Sequence, residues 1–333
     1  GSMKMPLHKA FGVDLGSSSV KIYAQEQDTI ITEKNMIAIR NQDQILAVGN
    51  KAYEIFEKNP SNVSVISPVL CGKIADIRCT EMVLKALLEN INAGTLLGYI
   101  LYLAIPSDLS EIDRSAYYTI ENSNRKDKVY IVERPIADAV GLGIPILHTK
   151  GTMIVNIGAQ STEISVIELG KVVVSKLLEI GGKQLDDGIV STVRKQYNLH
   201  IGLRTARRLK LSLGYLKDGN LEARKVVGVD SLSGLPREEI VPSDVVHETI
   251  TGPVRALCEE ILFFLERIPP QIRKSVEDQG IFVTGGTSRI PGMEWFLKQE
   301  TGQKIRMSDL YELCTICGLK EIMKDRSLKK WAR

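Results

Sequence analysis

One strand-turn-strand pattern occurs twice in this chain, and it limits the possible folds more than any other feature. The first copy is Phe11-Gly-Val-Asp-Leu-Gly-Ser-Ser-Ser-Val-Lys-Ile-Tyr23. The second is Met153-Ile-Val-Asn-Ile-Gly-Ala-Gln-Ser-Thr-Glu-Ile-Ser-Val-Ile167. Each has a β-prone run, a polar residue, a glycine, small hydroxyl residues and a second β-prone run. The polar residues Asp14 and Asn156 stand 142 positions apart, a domain-sized interval. The chain has 333 residues, which fits two domains. The repeat therefore predicts two related domains, each offering one loop to a ligand.

The loop chemistry points to phosphate. Gly16 and Gly158 allow a tight turn and a close backbone approach, and successive N–H groups in such a turn form an anion nest. Ser17, Ser18 and Ser19 add hydroxyl donors in the first loop, and Ser161 and Thr162 in the second. Asp14 would hold a hydrated Mg²⁺ against the phosphates, since Mg²⁺ takes oxygen ligands and keeps several waters. An ordinary Gly-Ser hairpin explains either copy alone. The pair at domain spacing favours a phosphate clamp.

Charge and composition exclude other classes. Charged residues make up 25% of the chain and the net charge is +3, too balanced for a nucleic-acid binder. The longest apolar stretch, 96–105, is about half a membrane span. Gly1-Ser2-Met3 reads as an expression remnant with no signal peptide after it, so the expectation is a cytosolic chain. Five cysteines in that compartment predict free thiols. Cys314-Thr-Ile-Cys317 lacks the second ligand pair of a zinc site and reads as structural.

Strand and helix signals alternate, giving an α/β class. A hairpin is expected over 9–24, helices over 81–90 and 110–122, and a buried strand over 99–105. Residues 151–174 are strand-rich. Helices are expected over 184–197 and 204–213. Val254, Leu257, Cys258, Ile261, Leu262 and Leu265 recur at helical spacing, and Pro269-Pro270 stops that helix. A strand over 280–283 leads into Thr284-Gly-Gly-Thr287, where Gly285, Gly286 and Thr287 form a third close-approach loop.

The three loops together resemble the two phosphate motifs and the adenosine motif of the actin, sugar-kinase and heat-shock-chaperone ATPases. Further segments, in order, resemble the MreB family of bacterial actins. They are Ala47-Val-Gly-Asn-Lys-Ala52, Gly72-Lys-Ile-Ala-Asp76, Ile105-Pro-Ser107, Glu133-Arg-Pro-Ile-Ala137, Glu179-Ile-Gly-Gly182, Arg204-Thr-Ala206, Ser233-Gly-Leu-Pro236 and Val283-Thr-Gly-Gly286. The resemblance covers about 9–322. It implies an actin-like two-domain ATPase fold, each domain with a large and a small subdomain, around a cleft holding ATP or ADP with Mg²⁺. The first domain would span 9–150, with its small subdomain near 33–75. The second would span 151–333, with its small subdomain near 183–250. The resemblance also implies filaments of the protein with itself, lying on the inner face of the cell membrane. There they would work with shape-determining membrane proteins and the cell-wall synthesis machinery, and without nucleic acid.

Several positions depart from the family pattern. Asn156 stands for an aspartate, and Ala159-Gln160 replace glycines. Arg134 stands for the glutamate before proline that positions the attacking water, which leaves Glu133 as the nearest carboxylate. Arg207 replaces a glutamate near the nucleoside, while Lys210 is kept. Lys21 is an actin-like addition that brings positive charge to the first loop. A guanidinium stays charged and accepts no proton, so the expectation is slow ATP hydrolysis.

Gly94-Thr-Leu-Leu-Gly98 resembles the family's membrane loop, with Leu96 and Leu97 at its tip. Burying two leucines gives roughly 3–6 kcal/mol, a millimolar contact or weaker that a filament would multiply. The basic tail 324–333 reads as a frayed, solvated terminus, with anionic lipid as the alternative. Two other functions remain open: a small-molecule kinase of the superfamily and a non-polymerising scaffold. Gly16-Ser-Ser-Ser-Val-Lys21 also resembles the pilus-assembly actin-like ATPases.

Overall fold

The structure is a computed structural model, and it describes residues 9–91, 98–122, 127–218 and 221–333. The chain forms two compact units. The first comprises residues 1–149, Leu169–Leu177 and Leu313–Arg333, and the second Lys150–Glu168 and Leu178–Glu312.

In the first unit the predicted hairpin is present as strands Lys9–Leu15 and Ser19–Ala24. Its first strand pairs antiparallel with the second and parallel with Tyr99–Ile105. The sheet order is Lys128–Glu133, Tyr99–Ile105, Lys9–Leu15, Ser19–Ala24, Thr29–Lys34. The two innermost strands are buried along most of their length, Val13, Leu15, Val20 and Ala24 completely, as expected for a sheet covered on both faces. Helix Ile77–Ile91 packs Val83, Leu84, Leu87 and Leu88 into the same core. Asp76 starts that helix by accepting from the Cys79 N–H at 2.9 Å, an N-terminal cap. A separate three-stranded sheet follows the order Gln44–Val48, Ile37–Arg40, Val63–Ile66.

The second unit repeats the central arrangement. Thr152–Ile157 pairs antiparallel with Thr162–Glu168 and parallel with Ile281–Thr284, which pairs parallel with Ile305–Met307. Four strands thus share one order in both units. The helix expected from Val254 begins earlier, spanning Ser243–Arg267 with Pro253 inside it. A three-stranded sheet contains the hairpin Ala223–Asp230 and Pro236–Pro242, which periodicity did not reveal.

The C-terminal segment corrects one expectation. The tail is docked on the first unit, not frayed. The Ile131 N–H donates to the Arg333 carbonyl at 2.7 Å and the Arg333 N–H returns the bond at 2.9 Å. Trp331 Nε1 donates to the Gly170 carbonyl at 2.8 Å. One indole and two backbone bonds offset the ordering entropy that basic composition alone would leave unopposed.

Upstream, helix Cys314–Lys324 lies on helix Arg134–Gly141 with almost no side chain between them. A Cβ on Gly318 would collide with the Ala137 carbonyl oxygen, and one on Gly141 with that of Cys314. Thr315 Oγ1 donates to Asp138 Oδ1 at 2.6 Å, and Cys314 Sγ lies 3.5 Å from the Asp138 carbonyl oxygen. Cys314 is therefore part of this helix contact, neither cysteine of the pair is in a disulfide, and burial pushes the Cys317 thiol up. Among the described residues no group of three or more His, Cys, Asp or Glu is placed to hold a metal.

Gly318→Ala should cost about 3 kcal/mol or more, because backbone must move. Gly252→Ala, in an exposed helical position with open space, should change stability by about 1 kcal/mol or less in the favourable direction. Denaturant melts of both variants check the contrast.

Candidate functional site

The two hairpin turns are built alike. The Gly16 N–H donates to the Ser19 carbonyl and the Gly158 N–H to the Ser161 carbonyl, each at 2.9 Å. A Cβ at Gly16 would lie 2.7 Å from the Ser19 oxygen and one at Gly158 would lie 3.0 Å from the Ser161 oxygen. Glycine is thus required for the turn itself at Gly16, and the fit is tight at Gly158.

In the first unit the loop is braced from outside. Asn35 donates its side-chain amide to the Gly16 carbonyl at 2.8 Å, and its own N–H donates to the Ser18 carbonyl at 3.0 Å. Ser17 is buried, and its Oγ accepts from the Gly72 N–H at 3.2 Å. The Gly72 carbonyl in turn accepts from the Tyr117 hydroxyl at 2.7 Å. Ser17 is therefore a structural hydroxyl, while Ser18 and Ser19 are partly exposed. Asn35 and Tyr117 were not found from the sequence. Gly72 lies inside a family-like segment and was the one available signal.

Asp14 has a different neighbour from the expected one. Arg134 Nη2 lies 3.2 Å from Asp14 Oδ1, with side chains 11% and 8% exposed. The two positions are 120 residues apart, and the strand-to-helix junction joins them. Glu133 ends strand Lys128–Glu133, and Arg134-Pro135 opens the helix, where proline is favoured in the first turn. Glu133 itself is partly exposed and makes no side-chain cap. Lys21 is the register partner of Asp14 on the adjacent strand, so their side chains share a face. Lys21 is 8% exposed.

In the second unit Asn156 pairs in register with Glu163, a 4% exposed carboxylate that the sequence reading passed over. The loop is tied to the start of helix Gly182–Tyr197. The Gly182 and Lys183 N–H groups donate to the Gly158 and Ala159 carbonyls at 3.1 and 2.7 Å, and the Gln184 side chain to the Gln160 carbonyl at 2.7 Å. Those N–H groups are the orphan donors of a helix start, and here loop carbonyls satisfy them. Gly181 must lack a side chain, because a Cβ would lie 2.7 Å from the Gln160 nitrogen. Thr162 is buried and donates to the Ile180 carbonyl at 2.6 Å, and Thr287 donates to the Gly158 carbonyl at 2.7 Å. Both hydroxyls hold backbone in place. Ser161 stays partly exposed.

Lys210 Nζ contacts Asp186 Oδ1 at 2.8 Å and the Gly182 carbonyl at 3.1 Å. Burial pushes the Asp186 carboxyl up, with Lys210 and then Arg207 opposing. Lys210 therefore anchors the helix start, a role the sequence did not separate from ligand binding. Arg204, Arg207 and Arg208 line the exposed side of helix Leu203–Leu213.

The third loop is the tightest. Gly285 has φ +99°, and a Cβ there would collide with the Ile157 carbonyl and lie 2.6 Å from Asn156 Oδ1. Gly286 meets only ordinary contact with Glu312. Arg289 holds Glu312 through two bonds of 3.1 and 3.0 Å and stacks over Tyr311 at 4.0 Å. Leu96 and Leu97 lie outside the described residues.

Gly285→Ala should lower stability by about 1–3 kcal/mol from backbone strain alone, with the collision adding to it. Gly286→Ala should cost less than about 1 kcal/mol. Thermal melts of the two neighbours, one residue apart, check that the constraint sits at Gly285.

With this geometry in view, the family model described as MreB/Mbl protein matches residues 8–330. The cell shape-determining protein Mbl of Bacillus subtilis (strain 168) is 30% identical over 310 residues, covering 92% of this chain and 93% of that protein. Two crystal structures of MreB5 of Spiroplasma citri match the fold. The one bound to AMPPNP has a TM-score of 0.90 at 26% identity, covering 98% of both chains. The one bound to ADP has 0.89 at 27%, covering 98% of this chain and 99% of that one.

Proposed function

This chain belongs to the MreB/Mbl family and has its actin-like two-domain fold, and from that premise we propose that it is a nucleotide-binding cytoskeletal protein of cell shape. In this reading it binds ATP and ADP, assembles with copies of itself into filaments, and lies on the inner face of the cell membrane. Shape-determining membrane proteins and the wall-synthesis machinery would be its partners there.

The observation that carries the nucleotide part is the doubled turn at Gly16 and Gly158, with identical 2.9 Å closures and the strained Gly285 beside the second. Each turn brings bare backbone close to whatever lies above it. The relatives bound to AMPPNP and ADP support the same ligand class. Gly16, Ser18, Ser19, Lys21, Gly158, Ala159, Gln160, Ser161, Gly285 and Gly286 would make the contacts. Asn156, Ser17, Thr162, Thr287 and Lys210 would shape the loops.

Hydrolysis is slow in this reading. The residue before Pro135 is a guanidinium held on Asp14, not a carboxylate. Losing one positioned catalytic group costs about 10²–10⁴-fold in rate. Membrane attachment rests on Leu96 and Leu97, because Trp331 of the basic tail is engaged with Gly170.

Sedimentation with and without ATP tests assembly. The protein should pellet when polymerised, and a chain that stays in the supernatant at every nucleotide and concentration would be the non-polymerising scaffold. Leu96→Asp with Leu97→Asp should abolish co-pelleting with anionic vesicles while leaving assembly intact. A phosphate-release assay should give turnover at least about a hundredfold below a family member that has glutamate at the position of Arg134.

A further inference from the structure

The two hairpin turns draw their carbonyls to one side by different means. In the second, the Gly158, Ala159 and Gln160 carbonyls accept from the Gly182 N–H, the Lys183 N–H and the Gln184 side chain. All three oxygens therefore point to the start of helix Gly182–Tyr197. A trans peptide is planar, so each carbonyl points opposite to the N–H of the next residue. The N–H groups of Ala159, Gln160 and Ser161 are thus turned away from the helix, as an anion nest requires.

One residue serves the first turn in place of a helix start. Asn35 Nδ2 donates to the Gly16 carbonyl at 2.8 Å, and the Asn35 N–H donates to the Ser18 carbonyl at 3.0 Å. By the same peptide geometry the Ser17 and Ser19 N–H groups face away from Asn35. Among the described residues the Ser17 and Ser18 N–H groups have no hydrogen-bond partner.

Asn35 also carries a cost that packing does not explain. It is fully buried, and among the described residues its Oδ1 has no partner. An unpartnered buried acceptor is destabilising and calls for a reason. A rotated amide would set that oxygen against the Gly16 carbonyl, so the bond to Gly16 decides which way the amide lies. The side chain is committed to the turn at the expense of its own oxygen.

We propose that Asn35 is a positioning residue for a bound phosphate: its amide holds the Gly16 carbonyl aside and leaves the Ser17 N–H open, beside that of Ser19, to one phosphate group of the nucleotide. The inference rests on the nucleotide reading above. Asn35 touches no ligand itself and acts through the loop. Its bond to Ser18 comes from backbone and survives substitution, so a variant at Asn35 tests the Gly16 peptide alone.

Isothermal titration of the full chain with ADP tests it. Asn35→Ala should weaken binding by about tenfold or more. Asn35→Asp is the sharper probe. Its carboxylate has no proton to give and repels the Gly16 carbonyl, whereas the protonated carboxyl donates as the amide does. Burial raises a carboxyl pKa, so binding lost at about pH 8 should return toward that of the unaltered chain at about pH 5. The unaltered chain, titrated at both values, is the reference. A ratio of variant to reference Kd that stays constant with pH would give Asn35 a structural role only and overturn the inference. Asn35→Ala binding ADP as tightly as the unaltered chain would overturn it too. Both results leave the nucleotide reading standing, whereas no binding by the unaltered chain removes both. If Asn35→Asp loses its circular dichroism spectrum, the Asn35→Ala comparison decides.

Discussion

Gly318 rests on the Ala137 carbonyl with no room for a methyl group, and much of the first unit's chemistry follows from that approach. Two helices meet backbone to backbone there, and Thr315 locks the contact through Asp138 at 2.6 Å. The position of helix Arg134–Gly141 is thereby set. Its first residue is Arg134, which is delivered to the end of the central strand where Asp14 lies. A packing constraint far along the chain thus decides which charge faces the turn at Gly16. The docked tail extends the same support, returning the chain to strand Lys128–Glu133 through paired bonds between Ile131 and Arg333.

The two hairpins share a turn and differ in electrostatics. The first sets Asp14 against Lys21 and Arg134 in a poorly solvated place. The second sets Asn156 against Glu163, with the acid moved to the other strand. Coulomb interactions are several times stronger at such depth than in water, so these exchanges alter ligand preference without altering the fold. In the proposed reading the same turn geometry would carry phosphate recognition by different means in the two units.

The sequence was a good guide wherever local signals and tertiary structure agreed. The strand expected over 99–105 is present as Tyr99–Ile105, because a buried run closed by proline has no competing reading. The helix from Ser243 was recognised only from Val254 onward, where the apolar spacing is legible, although it runs through Pro253. The site residues were legible as types but not as partners. Asp14 and Arg134 were both singled out, yet their meeting depends on a strand order and a helix crossing that no local pattern encodes. Asn35 and Tyr117 brace the first loop from elements with no motif of their own, and Trp331 sits in a tail whose charges suggested solvent.

The central claim is that the Asp14–Arg134 pair is part of the nucleotide site as it operates. The most direct measurement is an experimental structure of this chain grown with AMPPNP and excess Mg²⁺. The account predicts Arg134 still on Asp14, close to the 3.2 Å seen here. An Arg134 swung away from Asp14, with hydrated Mg²⁺ bridging the carboxylate and the phosphates, would contradict it.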